Sequence, residues 1–159
     1  MVVMKVSGIV LDPQSRTPIL VLRDMDDRRA LLIWIGPPEA NSIMLVLENI
    51  KLSRPATHDL MNNIFKTLKV ELKSVVIHDM KESTFFAQIN FMNNGKEFSI
   101  DSRPSDAVAV ALRADIPIFV SEQVMMSSSI PIDQSKDDEE AQEFKKFIDS
   151  VKPSDFFKG

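Results

Sequence analysis

No cysteine occurs in the 159 residues. That removes disulfides, thiolate zinc sites and a cysteine nucleophile together. Glycine occurs four times, and neither GxGxxG nor GxxxxGK[ST] is present. A glycine-rich phosphate cradle is therefore excluded, and no organic cofactor is expected. Histidine occurs twice, at His58 and His78, too few for a multi-histidine zinc centre within one chain. The catalytic signatures HExxH and GxSxG are also missing. No apolar run reaches the roughly 18 residues of a membrane helix. The N-terminal MVVMKVSGIV carries neither a basic stretch nor a small-residue cleavage site. A cytoplasmic protein with no membrane contact is the expectation.

The charge is modest and unevenly placed. Residues 1–126 hold 14 Lys/Arg and 15 Asp/Glu, whereas residues 127–159 hold 5 and 8. A nearly neutral body with an acidic tail lacks the broad basic footprint of a protein that grips duplex DNA through many phosphates. Any nucleic-acid contact needs a local basic patch.

What the chain does contain is internal similarity. Shifted by 67 residues, it aligns with itself without gaps from Ser7 to about Leu45. Ser7 meets Ser74, Asp12 meets Asp79, Thr17 meets Thr84, Ile33 meets Ile100, Pro37 meets Pro104 and Ala40 meets Ala107. Each copy reads strand, strand, strand, helix, over about 1–50 and 68–117. Asn94-Gly95 is a strong hairpin signal in the second copy, and DMDDRR is the turn of the first. Pro37 and Pro104 suit the first helical turn, with Glu39 and Asp106 facing its free amides.

Between the copies, SRPATHDLMNNIFKTLK predicts an amphipathic helix. Thr57 is its expected N-cap, and Leu60, Met61, Ile64, Phe65 and Leu68 its apolar stripe. IPIFV predicts one more short strand. The polar, acidic SSSIPIDQSKDDEE reads as a linker. EEAQEFKKFIDSV then places Phe144, Phe147, Ile148 and Val151 on one helical face. That face must bury itself against the body or against a second subunit, and a homodimer is the favoured expectation. The expected architecture is α+β: residues 1–126 form two β3α repeats building a strongly bent, barrel-like mixed sheet with packed helices, and residues 127–159 form a linker and a C-terminal helical tail.

Candidate chemistry centres on carboxylates at strand ends and helix starts: Glu39, Asp59, Asp101 and Asp106. Acids near a helix N-terminus are stabilising by roughly 0.3–1 kcal/mol with no function at all, which is the plain reading of Glu39 and Asp106. The second copy is less easily dismissed. Asp101, Ser102, Arg103 and Ser105 stand where the first copy has Trp34, Ile35, Gly36 and Pro38. A demand of the scaffold alone leaves both copies bland, so this asymmetry places a site at IDSRPSD. His58 lies in the first turn of the middle helix beside Asp59. It is either a solvated helix-start residue or a base or phosphate contact. His78, in VVIHD, reads as structural or surface.

The segments IWIGPPEANSIMLVLE, RPATHDLMNNIF, VVIHDMKESTFFAQINF and IDSRPSDAVAVALRADIPIFV closely resemble the bifunctional nuclease domain family, in matching order from about Val3 to Val120. The resemblance implies hydrolysis of DNA and RNA. On that reading the catalytic candidates are Asp101, Arg103, Asp106, Glu39, His58 and Asp59. Arg54, Ser102 and Ser105 become substrate-binding candidates. Asp101, Asp106 and Glu39 would hold Mg²⁺ or Mn²⁺, because an oxygen-rich, sulfur-free inventory suits a hard cation. The other class of reading is a non-enzymatic ligand-binding or regulatory module built on the same polar cluster.

Overall fold

The structure, a computed structural model, describes residues 1–133 and, beyond them, Lys146. Two antiparallel meanders dominate it. The first comprises β1 (Val2–Leu11), β2 (Pro18–Asp24) and β3 (Arg29–Trp34). The second comprises β4 (Glu71–Lys81), β5 (Thr84–Asn93) and β6 (Lys96–Ser102). Each meander runs into an eleven-residue helix: α1 (Pro37–Leu47) and α3 (Pro104–Ala114). Both helices carry Pro at the first position, where its missing N–H costs nothing. Between the two units lies α2 (Thr57–Thr67). The chain continues through β7 (Ile118–Val120), α4 (Glu122–Ser128) and β8 (Ile130–Pro131).

All strands among the described residues belong to one mixed sheet, in the order β6-β5-β4-β7-β1-β2-β3-β8. Short β7 joins the meanders, antiparallel to β1 and parallel to β4. The fold is α+β and the sheet is strongly curled, but it is open: β6 and β8 are its two edges. The barrel-like expectation is corrected to that extent. The hairpin turns follow the chemistry of their residues. Asn94 and Gly95 both adopt positive φ, at 51° and 77°. In the first meander Asp24 closes the turn, its Oδ1 accepting the Arg28 and Arg29 N–H groups at 2.7 and 3.2 Å.

The core lies between the sheet and α1 and α3. Leu20, Leu22, Leu31, Val75 and Ile77 alternate inward on the strands, and Ile43, Val108 and Val110 meet them from the helices. The helix α2 departs from its predicted face. Its buried residues are His58 and Asn62, with Met61 and Phe65 packed on the core, while Leu60, Ile64 and Leu68 remain exposed. The inner face is the 58–61–62–65 stripe that lies on α3, so two polar side chains are carried inward. The N-cap is Ala56 rather than Thr57, and Asp59 Oδ2 takes the Ala56 N–H at 2.9 Å.

The segment read as a linker from residue 127 begins inside the fold. Ser127 and Ser128 end α4, and Ile130 pairs with Ala30 as β8 meets β3. The signal for α4 was Ser121, whose Oγ accepts the Val124 N–H at 3.2 Å. The amphipathic helix expected near 138–151, on which the homodimer expectation rested, lies outside the described residues. Among the described residues no helix is long and apolar enough to cross a membrane.

Candidate functional site

Three helices bring the polar residues together. From α1 come Glu39 and Ser42, from α2 His58, and from the β6–α3 junction Asp101, Ser102, Arg103 and Asp106. The junction matters because Arg103 is the N-cap of α3, with extended backbone at φ −67° and ψ 145°, and makes no cap hydrogen bond. Its side chain is thus available for distant partners. Its Nε donates to Asp106 Oδ2 at 2.8 Å and its Nη2 to Glu39 Oε1 at 2.8 Å.

Asp106 continues the chain of contacts inward. Its Oδ1 lies 2.9 Å from His58 Nε2, and His58 Nδ1 lies 2.6 Å from Ser42 Oγ. An ionised carboxylate only accepts, so Asp106 assigns the ring proton to Nε2. Nδ1 then accepts from the Ser42 hydroxyl. His58 and Ser42 are buried, at 6% and 7% exposure, whereas the Arg103 side chain is 63% exposed. Burial pushes the Asp106 carboxyl up, but the hydrogen bonds from Arg103 and His58 outweigh it and hold it below the usual carboxylate range. Asp106 and then Glu39 raise Arg103 above its ordinary value, so it stays a cation throughout.

These side chains line a cleft of ≈ 830 Å³. Glu39, Ser42, His58, Asp101, Arg103 and Asp106 supply its polar lining, and Leu52, Phe65, Ile89 and Ile100 much of its apolar lining. Asp101 is exposed and pairs through its backbone with Gln88, while Ser102 Oγ donates to the adjacent Arg103 carbonyl at 2.9 Å.

Three expected members are elsewhere. Ser105 is buried and lines a separate pocket of ≈ 280 Å³ beside Ile33, Trp34 and Gly36. Arg54 and Asp59 line a third cleft, of ≈ 480 Å³, on the other side of the 48–56 loop. His58 and Asp59 are neighbours in sequence but point to different clefts, as a helix rotation of about 100° per residue requires. Asp59 Oδ1 accepts from Arg113 Nε at 2.7 Å, and Arg113 Nη2 donates to the Ser42 carbonyl at 3.1 Å. Burial raises the Asp59 carboxyl; Arg113 and the Ala56 amide outweigh this and lower it.

The Mg²⁺ or Mn²⁺ site expected from Asp101, Asp106 and Glu39 is not assembled in this arrangement. Among the described residues no three His, Asp or Glu side chains gather to hold a metal ion. The physical reason is Arg103: its guanidinium already bridges Glu39 and Asp106 and is the cation between them.

Ser42 and Arg113 were not anticipated. Both carried a signal, since they stand opposite Ala109 and Val46 under the 67-residue shift. The polar-for-apolar contrast that singled out Asp101–Ser105 holds at these two positions as well.

Residues 20–133, which contain every residue of both clefts, match the bifunctional nuclease domain. An uncharacterised protein of Mycobacterium tuberculosis is 39% identical over 160 residues, 96% of each chain. Bifunctional nuclease 1 of Arabidopsis thaliana is 29% identical over 123 residues, and that of Oryza sativa subsp. japonica 27% over 136. These alignments cover 74% and 76% of this chain but only 38% and 41% of the plant proteins. By its matched domain and its near full-length relative, the chain belongs to the bifunctional nuclease domain family.

Proposed function

We propose that the protein hydrolyses phosphodiester bonds of DNA and RNA at the His58 cleft. The observation that carries this is the Ser42–His58–Asp106 relay on the cleft wall, with Arg103 exposed at the mouth. The family, whose plant members include proteins named bifunctional nucleases, supports the reaction class.

In this reading His58 is the base, reached through Ser42. Water held against Ser42 Oγ gives that oxygen a proton as the Ser42 proton passes to His58 Nδ1. The water oxygen bonds to phosphorus, one P–O ester bond breaks, and the leaving oxygen takes a proton from solvent. Asp106 stabilises the imidazolium that forms. Arg103 binds the phosphate oxygens with the outer part of its guanidinium. Asp101 and Ser102 line the cleft beside it. No step is routed through Mg²⁺ or Mn²⁺; dependence on either is a separate arm of the test.

That test compares wild type, His58→Ala and Ser42→Ala, prepared identically, on single-stranded and duplex DNA and RNA, with EDTA or with Mg²⁺ or Mn²⁺. Both variants are expected to lose about 10²-fold or more in rate, the scale of general base catalysis. Ser42→Ala keeps the His58–Asp106 contact, so it reads the relay without emptying the buried site. Equal activity in all three preparations would identify a contaminating nuclease and sink the proposal.

One observation favours a second reading, a non-enzymatic ligand-binding or regulatory module. The cleft presents Glu39, Asp101 and Asp106 against the single guanidinium of Arg103, beside apolar lining residues. Such a lining repels a phosphodiester and suits an uncharged or cationic ligand. Binding of such a ligand by a protein without hydrolytic activity would decide for it.

A further inference from the structure

The third cleft has the opposite charge balance. Its ≈ 480 Å³ are lined by Lys51, Arg54 and Arg113 against the single carboxylate of Asp59. That carboxylate is already engaged. Arg113 donates to it at 2.7 Å and is itself fixed by the Ala109 and Ser42 carbonyls, at 3.0 and 3.1 Å. The Arg113 side chain is only 8% exposed. Lys51 and Arg54, by contrast, are exposed and form no salt bridge among the described residues. Among the other exposed cations, Lys5, Lys73, Lys81 and Arg103 each lie within 3.0 Å of a carboxylate, whereas Arg16, Arg28, Lys66, Lys69 and Lys96 form no salt bridge among the described residues and line no part of this cleft. What sets Lys51 and Arg54 apart is that both open on one cavity beside the fixed Arg113, with their charge uncompensated, and so form a local basic patch.

The cavity is also placed to serve the first cleft. Leu45 and Leu52 line both. A strand lying over Leu52 passes from one cleft to the other. Ile50 and Leu52 are exposed at 43% and 51%, an apolar ledge beside the cations on which sugars and bases can rest. The neutral Asn49, Ser53 and Asn63 on the same wall can hydrogen-bond phosphate oxygens.

We propose that this cleft is a phosphate-binding subsite for a single nucleic-acid strand, with Lys51 and Arg54 as its ligands. It rests on the nuclease reading for its purpose, since it holds the strand against a cleft whose own carboxylates would repel it. Its two phosphate contacts are read without regard to sequence, because neither cation meets a base edge in a fixed frame.

The experiment measures binding and needs no hydrolysis. The full chain is titrated onto a labelled single-stranded DNA oligonucleotide in EDTA across a series of KCl concentrations, followed by fluorescence anisotropy. Variants are Lys51→Glu/Arg54→Glu and, as a control of equal charge change, Lys66→Glu/Lys69→Glu, which alters exposed cations outside the cleft. Near −0.7 per phosphate for a single strand, loss of two contacts lowers the slope of log K against log salt by about 1.4. The expected result is that drop, with at least tenfold weaker binding at low salt, in the cleft variant alone. Equal loss in both variants, an unchanged slope in the cleft variant, or no binding by wild type would each overturn the subsite. Displacement of the oligonucleotide by an equal concentration of mononucleotide would overturn it as a strand site. If binding follows this pattern while His58→Ala and wild type show no difference in hydrolysis, the nuclease reading fails and the subsite stands.

Discussion

Gly36 and Arg103 occupy the same place in the two halves of the molecule. Each is the N-cap of the helix that follows a meander, with nearly the same backbone: φ −76°, ψ 153° for Gly36 and φ −67°, ψ 145° for Arg103. Each is followed by Pro at the first helical position and by an acid in the first turn, Glu39 or Asp106. The scaffold therefore asks the same of both positions, yet one has no side chain and the other a long cation. The difference is used across the molecule. Arg103 reaches its own helix's Asp106 and the other helix's Glu39, so the two first-turn acids share one guanidinium. A side chain at position 36 would stand in the way, because a Cβ built there meets the Glu39 carboxylate. Two equivalent helix starts thus become one asymmetric site.

The largest way to break this comparison is to remove the charge that both Arg103 and His58 use. Asp106→Asn keeps the shape of the side chain but makes it neutral. Hydrolysis is expected to fall by about 10²-fold or more, because the imidazolium loses its stabilising partner. Stability should fall by about 1–3 kcal/mol, the usual cost of a lost charge-assisted hydrogen bond at a partly buried site. The stability difference has a pH dependence of known sign. Asp106 is held below its ordinary range in the folded state, so its contribution is fully present above the unfolded-state value near 4 and is lost as pH falls through the folded one. Urea midpoints of wild type and Asp106→Asn should therefore differ most above about pH 5 and converge below about pH 4. A difference that grows in acid would contradict the assigned ionisation.

Arg103→Lys comes next. A lysine keeps the charge but cannot span Glu39 and Asp106 while presenting donors to a phosphate. Activity is expected to drop about tenfold or more. The side chain is 63% exposed, and exposed ion pairs contribute little, so the melting temperature should hardly move. Parallel loss of stability and activity would instead make Arg103 a clamp between two helix starts.

The same pair of junctions explains what was legible in the sequence. Strands, turns and both equivalent helices follow from period-two alternation, Asn94-Gly95 and the two prolines, which are local signals. The 67-residue shift also pointed to Asp101–Arg103 through polar-for-apolar contrast, and the Arg103 side chain does join Glu39 to Asp106. The middle helix misled for a physical reason. Hydrophobicity marked Leu60, Met61, Ile64, Phe65 and Leu68 as its inner face; Met61 and Phe65 do pack on the core, but α2 also buries His58 and Asn62, whose polar groups find partners only once α1 and α3 are in place. No local pattern encodes partners that arrive 16 and 48 residues away. The division into two clefts was hidden for the same reason. His58 and Asp59 look like one cluster in sequence, and only helix geometry sends them apart. The metal expectation counted carboxylates without knowing that a guanidinium would stand between two of them.

The smallest change gives the sharpest test of that arrangement. Gly36→Ala adds one methyl group at a position whose φ any residue can adopt, so the backbone itself is not strained. Alanine is a poorer N-cap than glycine, by roughly 0.5–1 kcal/mol, a small loss for a helix held by its packing on the core. What the methyl group meets is the end of a flexible side chain, the Glu39 carboxylate, which can swing aside. Glu39 would then leave Arg103 paired with Asp106 alone. His58, Ser42 and Asp106 are untouched, so the proton relay should be intact. Less tightly held and facing one acid fewer, Arg103 should bind phosphate better. The expected outcome is a melting temperature close to wild type and a severalfold lower KM for an oligonucleotide with kcat little changed. If Glu39 were needed for the chemistry itself, kcat would fall instead, and the acid of the first helix would move from partner of Arg103 to participant in the reaction.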